Sequence, residues 1–370
     1  MAVAKRFVRF VRFVLGFKFN LSYEIHKNFF SSMKRSVLFL FAFLLILVLV
    51  CLNVALGSVS LPLQDVIDTL MGRDDIPVIT HNIILKSRLP QTLVAGLAGA
   101  ALAVSGLEMQ TVFRNPLAGP TVLGISNGAS LGVALVVLLG GNIAGVALSK
   151  LGLVGEMALT VAAIVGAMLI MSLIIMVSQR VKSGVTLLIM GVMIGYVANA
   201  LIGVLKFFSV EEDIRSYVVW GMGSFQRVSP ERFLPFAVSV SLLLVLSLPL
   251  VKTLNLLLLG EGYARNLGLN MRRARFWVIT SSGMLCAVVT AYCGPIAFLG
   301  LAVPHLCRGL LRTSDHRVLL PFTLLTGALL ALFCHLIARL PGFEGALPVN
   351  SVTALIGAPV VCWILFKRNK

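Results

Sequence analysis

Long uncharged runs, broken by glycine, proline and clustered charge, alternate along this chain. Ten of them are predicted to be helices: 37–56, 89–107, 119–139, 157–179, 185–205, 233–251, 276–293, 295–311, 318–338 and 349–366. A helix needs roughly 20 apolar residues to cross the hydrocarbon core of a membrane. The first run, VLFLFAFLLILVLVCLNVAL, carries no charge at all. The eighth is short, contains Pro304 and is joined to the seventh only by Gly294-Pro295. The expected fold class is an all-α polytopic membrane protein with about ten transmembrane helices, both termini on one side.

Two places in the pattern are interrupted. The small-residue run Leu89 to Leu107 meets the polar knot Arg114-Asn115-Pro116, and the chain restarts as a second run dotted with glycine and serine. About 185 residues later AVVTAYCGPIAFLGLAVPHL breaks at Gly294-Pro295 and again at Pro304-His305. Helix breaks at membrane depth survive only where protein or a water-filled cavity satisfies the freed backbone groups. Breaks at matching places of two halves point to a translocation path, although glycine and proline are also common in membrane helices generally. The pattern reads as a transporter.

Composition excludes a soluble fold. At 58% hydrophobic and 12% charged, 370 residues cannot hide their apolar side chains inside one soluble core. The net charge of +17 is distributed by topology: 22 of the 31 lysines and arginines, but only four of the 14 acids, fall on segments that share a side with the N-terminus. Excess lysine and arginine in short loops marks the cytoplasmic side. Both termini are therefore expected in the cytoplasm, and the basic balance gives no support to a nucleic-acid partner.

The expected domains are a basic arm over 1–35 and one membrane domain over 36–370. In KRFVRFVRF, Arg6, Arg9 and Arg12 stand beside Phe7, Phe10 and Phe13, a pairing suited to an anionic membrane surface. A cleaved signal peptide is the rival, but its charged region and its apolar core would both be too long. The connections 57–87 and 206–232 outside and 252–275 inside cannot bury cores of their own.

Metal and catalytic signals are weak. Cys51, Cys286, Cys293, Cys307, Cys334 and Cys362 show no CxxC or Cys/His pairing and read as small apolar residues. His305 and His335 each stand alone. No GxxxxGK[ST] phosphate cradle is present, so a pump built on this chain would draw its energy from a partner. The chain is expected to bind no cofactor or metal and to be no enzyme.

Several blocks carry a family resemblance: RLPQTLVAGLAGAALAVSGLEMQTVFRNPLAGPTVLGISNGA (88–129), LGEGYARNLGL (259–269), GPIAFLGLAVPHLCRGLL (294–311), SDHRVLLP (314–321) and LPVNSVTALIGAPVVCWIL (347–365). In this order they resemble the permease subunit of bacterial ABC importers for metal chelates, over about 36–367. That family takes up ferric siderophores, haem and cobalamin. The resemblance implies ten helices per subunit and a second permease subunit, a homodimer or a close relative. It implies two cytoplasmic ATPases holding ATP and Mg, and a periplasmic or lipid-anchored substrate-binding protein. It places the chain in the bacterial inner membrane, working by alternating access. Iron chelates, ferric siderophore or haem, are the expected substrates, with cobalamin the alternative.

Site residues follow from the matched blocks. Gly260, Glu261, Ala264, Arg265, Leu267 and Gly268 resemble the coupling segment that meets the ATPase, a solvated basic loop being the plainer reading. Arg88, Arg339 and Lys86 would dock the binding protein, with interfacial anchoring as the alternative. Gln91 stands where relatives often carry a second arginine. The path candidates are Glu108, Gln110, Asn115, Ser126, Asn127, Tyr196, Asn199, Gly294 and Pro295. Glu108, a carboxylate inside a span, is a functional hypothesis by default. It could line the path, pair with Arg114, or drive an ion-coupled secondary transporter; a channel or structural membrane subunit is the third class. In the segment Arg308, Arg312, Ser314, Asp315, His316 and Arg317, Ser314 or Asp315 suits a helix cap.

Overall fold

The computed structural model describes residues 33–73, 76–144, 152–181, 184–340 and 346–368. The expected basic arm lies outside them except for Met33, Lys34 and Arg35, as does the acidic pair Asp74-Asp75. Contacts divide the chain into a unit over 1–45 and a unit over 46–370.

Each of the ten apolar runs is helical. The helices are α1 (Met33–Ala55), α3 (Val78–Val112), α4 (Ile125–Ala144), α5 (Gly152–Arg180), α6 (Gly184–Phe207), α8 (Pro230–Leu258), α10 (Met271–Cys293), α11 (Leu299–Leu311), α12 (His316–Ala338) and α13 (Val349–Arg368). Between them lie three connecting helices: α2 (Leu63–Leu70), α7 (Glu211–Gly221) and α9 (Glu261–Asn266). Among the described residues seven helices are long and apolar enough to cross a membrane, while α4, α11 and α13 offer shorter apolar stretches.

Helix α3 begins at Val78, eleven residues before the expected 89, and two runs instead become helical later than expected, for backbone reasons. The run expected from 119 becomes helical only at Ile125, because the preceding residues form turns that end at Gly124, at φ 80°. The run expected from 295 begins at Leu299: Pro295 donates no backbone hydrogen bond, and Phe298 sits at φ 67°.

Packing is set by small residues. From Ala98 to Val112 every side chain of α3 is buried, as expected for a helix apolar on all sides. A Cβ on Gly99 would run into Gly327 of α12, and one on Gly106 into the carbonyl of Gly300 at the start of α11. A second set of close contacts joins α4 to α5, at Gly128 against Gly166 and Gly132 against Ala162. It also joins the turn before α4 to α6, where a Cβ on Gly124 would lie 3.1 Å from the Cα of Gly195. Without a hydrophobic drive between helices in lipid, such backbone approaches are what holds them. Helix α10 meets both sets. Its Ser282 hydroxyl donates to the Ser105 carbonyl of α3 at 2.8 Å, and its Gly283 leaves room for Met171 of α5.

Candidate functional site

The two interrupted segments meet. Nε2 of His305, beside the second break, lies 2.9 Å from the Pro116 carbonyl of the first. A carbonyl can only accept, so that ring nitrogen carries the hydrogen. Gln110 donates to the Leu301 carbonyl at 3.1 Å and accepts from Arg308 at 2.6 Å. The likeness of the two segments in sequence thus becomes direct contact between them.

Protein atoms satisfy the backbone freed at both breaks. Asn115 Oδ1 accepts from the Leu117 N–H at 2.9 Å, and the Asn115 N–H returns to the Gln110 carbonyl at 3.2 Å. At the second break Gly294 is buried at φ 77°, where a Cβ would lie 2.6 Å from the Trp220 carbonyl. The Cys293 carbonyl accepts from the Ser224 N–H at 2.7 Å, and the Ala297 N–H donates to Asn350 Oδ1 at 3.0 Å. Pro295 is half-buried between these contacts.

The remaining path candidates separate by exposure. Glu108 is 0% exposed, and its Oε1 accepts from the Ser281 hydroxyl at 2.9 Å. Its Oε2 has no protein partner. The pairing with Arg114 does not form: among the described residues the ion pairs are Arg73–Asp68, Arg232–Glu156 and Arg275–Glu261, and Arg114 is exposed. Gln110 and Ser126 are buried and Asn127 is half-buried. Tyr196 and Asn199 lie open instead, outside the buried strip of α6 formed by Gly191, Gly195, Ala198 and Ile202. Four of the expected path residues, Glu108, Gln110, Ser126 and Gly294, are therefore enclosed within the subunit.

The expected coupling segment is a distinct short element. Helix α9 is bounded by Gly260 at φ 99° and Gly268 at φ 87°, conformations that side chains rarely adopt. Tyr263 is 72% exposed, Leu267 is 61% exposed and Arg265 is exposed as well. Ala264, expected on the contact face, is instead fully buried, because the helix needs one apolar side to seat against the bundle. Glu261 turns sideways to Arg275, 2.5 Å away. Tyr263 and Arg275 are residues that sequence reasoning missed. The first had a signal, an aromatic ring in a polar loop; the second had none, since its partners lie far away in the chain.

The outer cations behave differently from expectation. Arg88 is 1% exposed, donating to the carbonyls of Val54 at 2.9 Å and Ala55 at 2.6 Å and also to that of Val59. It completes the C-terminal end of α1, whose last carbonyls have no partner within the helix. Arg339 is buried too, with Nη1 3.3 Å from His335 Nε2. Burial, and then the neighbouring Arg88, pushes its pKa down to about 10. Lys86 is the exposed cation of the three. Gln91 donates to the Ser87 hydroxyl at 3.0 Å. Arg88 and Arg339 therefore do not present guanidinium groups at the surface of this subunit.

Asp315, not Ser314, caps α12, accepting from the Arg317 N–H at 3.0 Å. That bond, and a second from Asn255 at 2.7 Å, hold its carboxyl below the usual carboxylate range. Asn255 also accepts from the His316 backbone at 2.9 Å and from its ring at 2.8 Å. The other ring nitrogen lies 2.9 Å from the Thr111 hydroxyl. Among the described residues no cluster of histidine, cysteine or acid could hold a metal ion, and His335 packs edge-on to Phe225.

Among the described residues, many membrane-length helices, paired breaks satisfied from within and the short exposed α9 mark a polytopic membrane protein. The FecCD transport family matches residues 44–367, and this chain belongs to it. The vitamin B12 import system permease protein BtuC of Salmonella paratyphi A is 39% identical over 291 residues, covering 76% of this chain and 83% of that protein. BtuC of Klebsiella pneumoniae is 40% identical over 288 residues, with 77% and 83% covered. A solved inward-facing structure of a metal-chelate type ABC transporter aligns with TM-score 0.76 at 32% identity, covering 90% of this chain and 99% of that one. The chain is thus a permease of the metal-chelate ABC importer type, a transport component.

Proposed function

We propose that this subunit carries its chelate across the bacterial inner membrane by alternating access, paired with a second copy of itself. ATP and Mg bind in two separate cytoplasmic ATPases, and a periplasmic or lipid-anchored binding protein delivers the substrate to the outer face. Ten crossings with both termini inside agree with the charge asymmetry of the loops. The observation that carries the reading is α9, a short helix held between two positive-φ glycines, exposing Tyr263, Arg265 and Leu267 in a chain with no phosphate-binding loop. It suits a contact that receives motion from a partner. Tyr196 and Asn199 on the open face of α6 are the polar groups we assign to the path between the two subunits.

On substrate, the BtuC relatives favour a corrinoid. The ferric siderophore and haem expected from the sequence rest on the range of the family alone. The ion-coupled reading loses ground because Glu108 is fully buried, with its Oε1 bonded to Ser281 of α10.

Reconstitution tests the proposal. The chain, its ATPase and its binding protein are placed in liposomes with labelled cyanocobalamin, a ferric siderophore or haem, with Glu261→Lys as the coupling control. ATP-dependent accumulation of one chelate, abolished by the control, is expected. Uptake driven by a proton gradient without ATP would overturn the assignment.

A further inference from the structure

Arg275 lies near the start of α10 and is only 8% exposed, yet it reaches two other elements. Nη1 donates to the carbonyls of Ser178 at 3.3 Å and Val181 at 2.9 Å, at the end of α5. Nη2 donates to Glu261 Oε1 of α9 at 2.5 Å. The carbonyls at a helix C-terminus lack partners within the helix and carry its partial negative charge, so a guanidinium is the complementary group. A planar fork of donors can hold a carboxylate and two carbonyls at once; a lysine ammonium is a single point on a flexible stem.

What Arg275 grips determines what would move. Helix α5 is locked to α4 at Gly128–Gly166 and Gly132–Ala162, and α4 meets α6 where a Cβ on Gly195 would lie 2.7 Å from Asn127 Nδ2. The exposed Tyr196 and Asn199 ride on α6. A continuous set of tight contacts therefore runs from α9 through Arg275 to α5, then α4, then α6. Packed interfaces of this kind shift as blocks and do not deform gradually.

We propose that Arg275 is a positioning residue, the latch that passes displacement of α9 into the α4–α5–α6 block. The inference rests on the permease reading above, but its first test needs neither ATPase nor substrate. Hydrogen exchange is measured on the full-length chain in detergent. Arg275→Gln is expected to raise exchange together at 260–268 and at 178–181, and Glu261→Gln at 260–268 only. Unchanged protection of 260–268 in Arg275→Gln would overturn the latch, whatever the fate of the transport reading.

The second test uses the complete reconstituted complex with labelled cyanocobalamin, a ferric siderophore and haem in parallel. Uptake per ATP hydrolysed is expected to fall about tenfold in Arg275→Gln and in Glu261→Gln, with hydrolysis in Arg275→Gln within about twofold of wild type. Arg275→Lys should lie between, and the double variant should be no worse than either single one, because both remove one linkage. A structural role alone would lower thermal stability and leave the ratio unchanged. Additive losses in the double variant would mean two independent roles and would also sink the latch. No uptake by the wild type of any chelate would count against the permease reading and leave hydrogen exchange to decide the latch.

Discussion

Arg88 and Arg339 flank Gly57 closely enough that a Cβ on that glycine would sit 3.2 Å from Cζ of Arg88 and 3.1 Å from Nη2 of Arg339. Two cations expected at the outer surface thus share one buried corner, where Arg88 is bound to backbone carbonyls. Replacing Arg88 with alanine would leave buried carbonyls unmet, at a cost of about 3 kcal/mol. A lower unfolding temperature in detergent is the expected result. Lys86→Glu should leave that temperature unchanged and slow association of the binding protein, since exposed rim charges act mainly on encounter. Equal stability of Arg88→Ala and wild type would show that the arginine is not structural.

The contact of Gly106 with Gly300 makes the sharpest packing prediction. Gly106→Ala forces a methyl group against a backbone carbonyl, and the overpacking should cost at least about 3 kcal/mol or abolish folded yield. Gly203 has nothing within 4 Å of its would-be Cβ, so Gly203→Ala should stay within about 0.5 kcal/mol of wild type.

Glu108→Gln keeps the shape and can still accept from Ser281. ATP-driven uptake should remain within about twofold of wild type, because no step of the proposed cycle uses the carboxylate charge. Loss of uptake with ATP hydrolysis intact would restore a coupling role to this residue.

Asp315 predicts a pH dependence. Its folded pKa is depressed, so its stabilising contribution is present above the unfolded value of ~3.9 and disappears as pH falls through the lower folded value. Asp315→Ala should lower stability by about 1 kcal/mol at neutral pH, the usual worth of a cap. In thermal unfolding the gap between variant and wild type should narrow below the ordinary carboxylate range. A gap independent of pH would mean that the carboxylate charge does not matter at this cap.

The sequence by itself determined the helices, the polar character of the breaks and a cap at Ser314 or Asp315, because each is a property of neighbours along the chain. Twenty uncharged residues must be helical in lipid whatever surrounds them, since no water is there to satisfy an open backbone. The glycines that bound α9 were legible for the same reason. Only the tertiary structure decided which way a polar side chain points. Arg88 meets Val54, 34 positions away, Glu108 meets Ser281 across 173, and Arg275 meets Ser178 across 97. Such pairings depend on which helices lie side by side, and in this protein that is set by backbone approaches such as Gly106 on Gly300. Local hydropathy carries no record of distant neighbours, so exposed docking arginines and enclosed capping arginines look alike until the helices are packed.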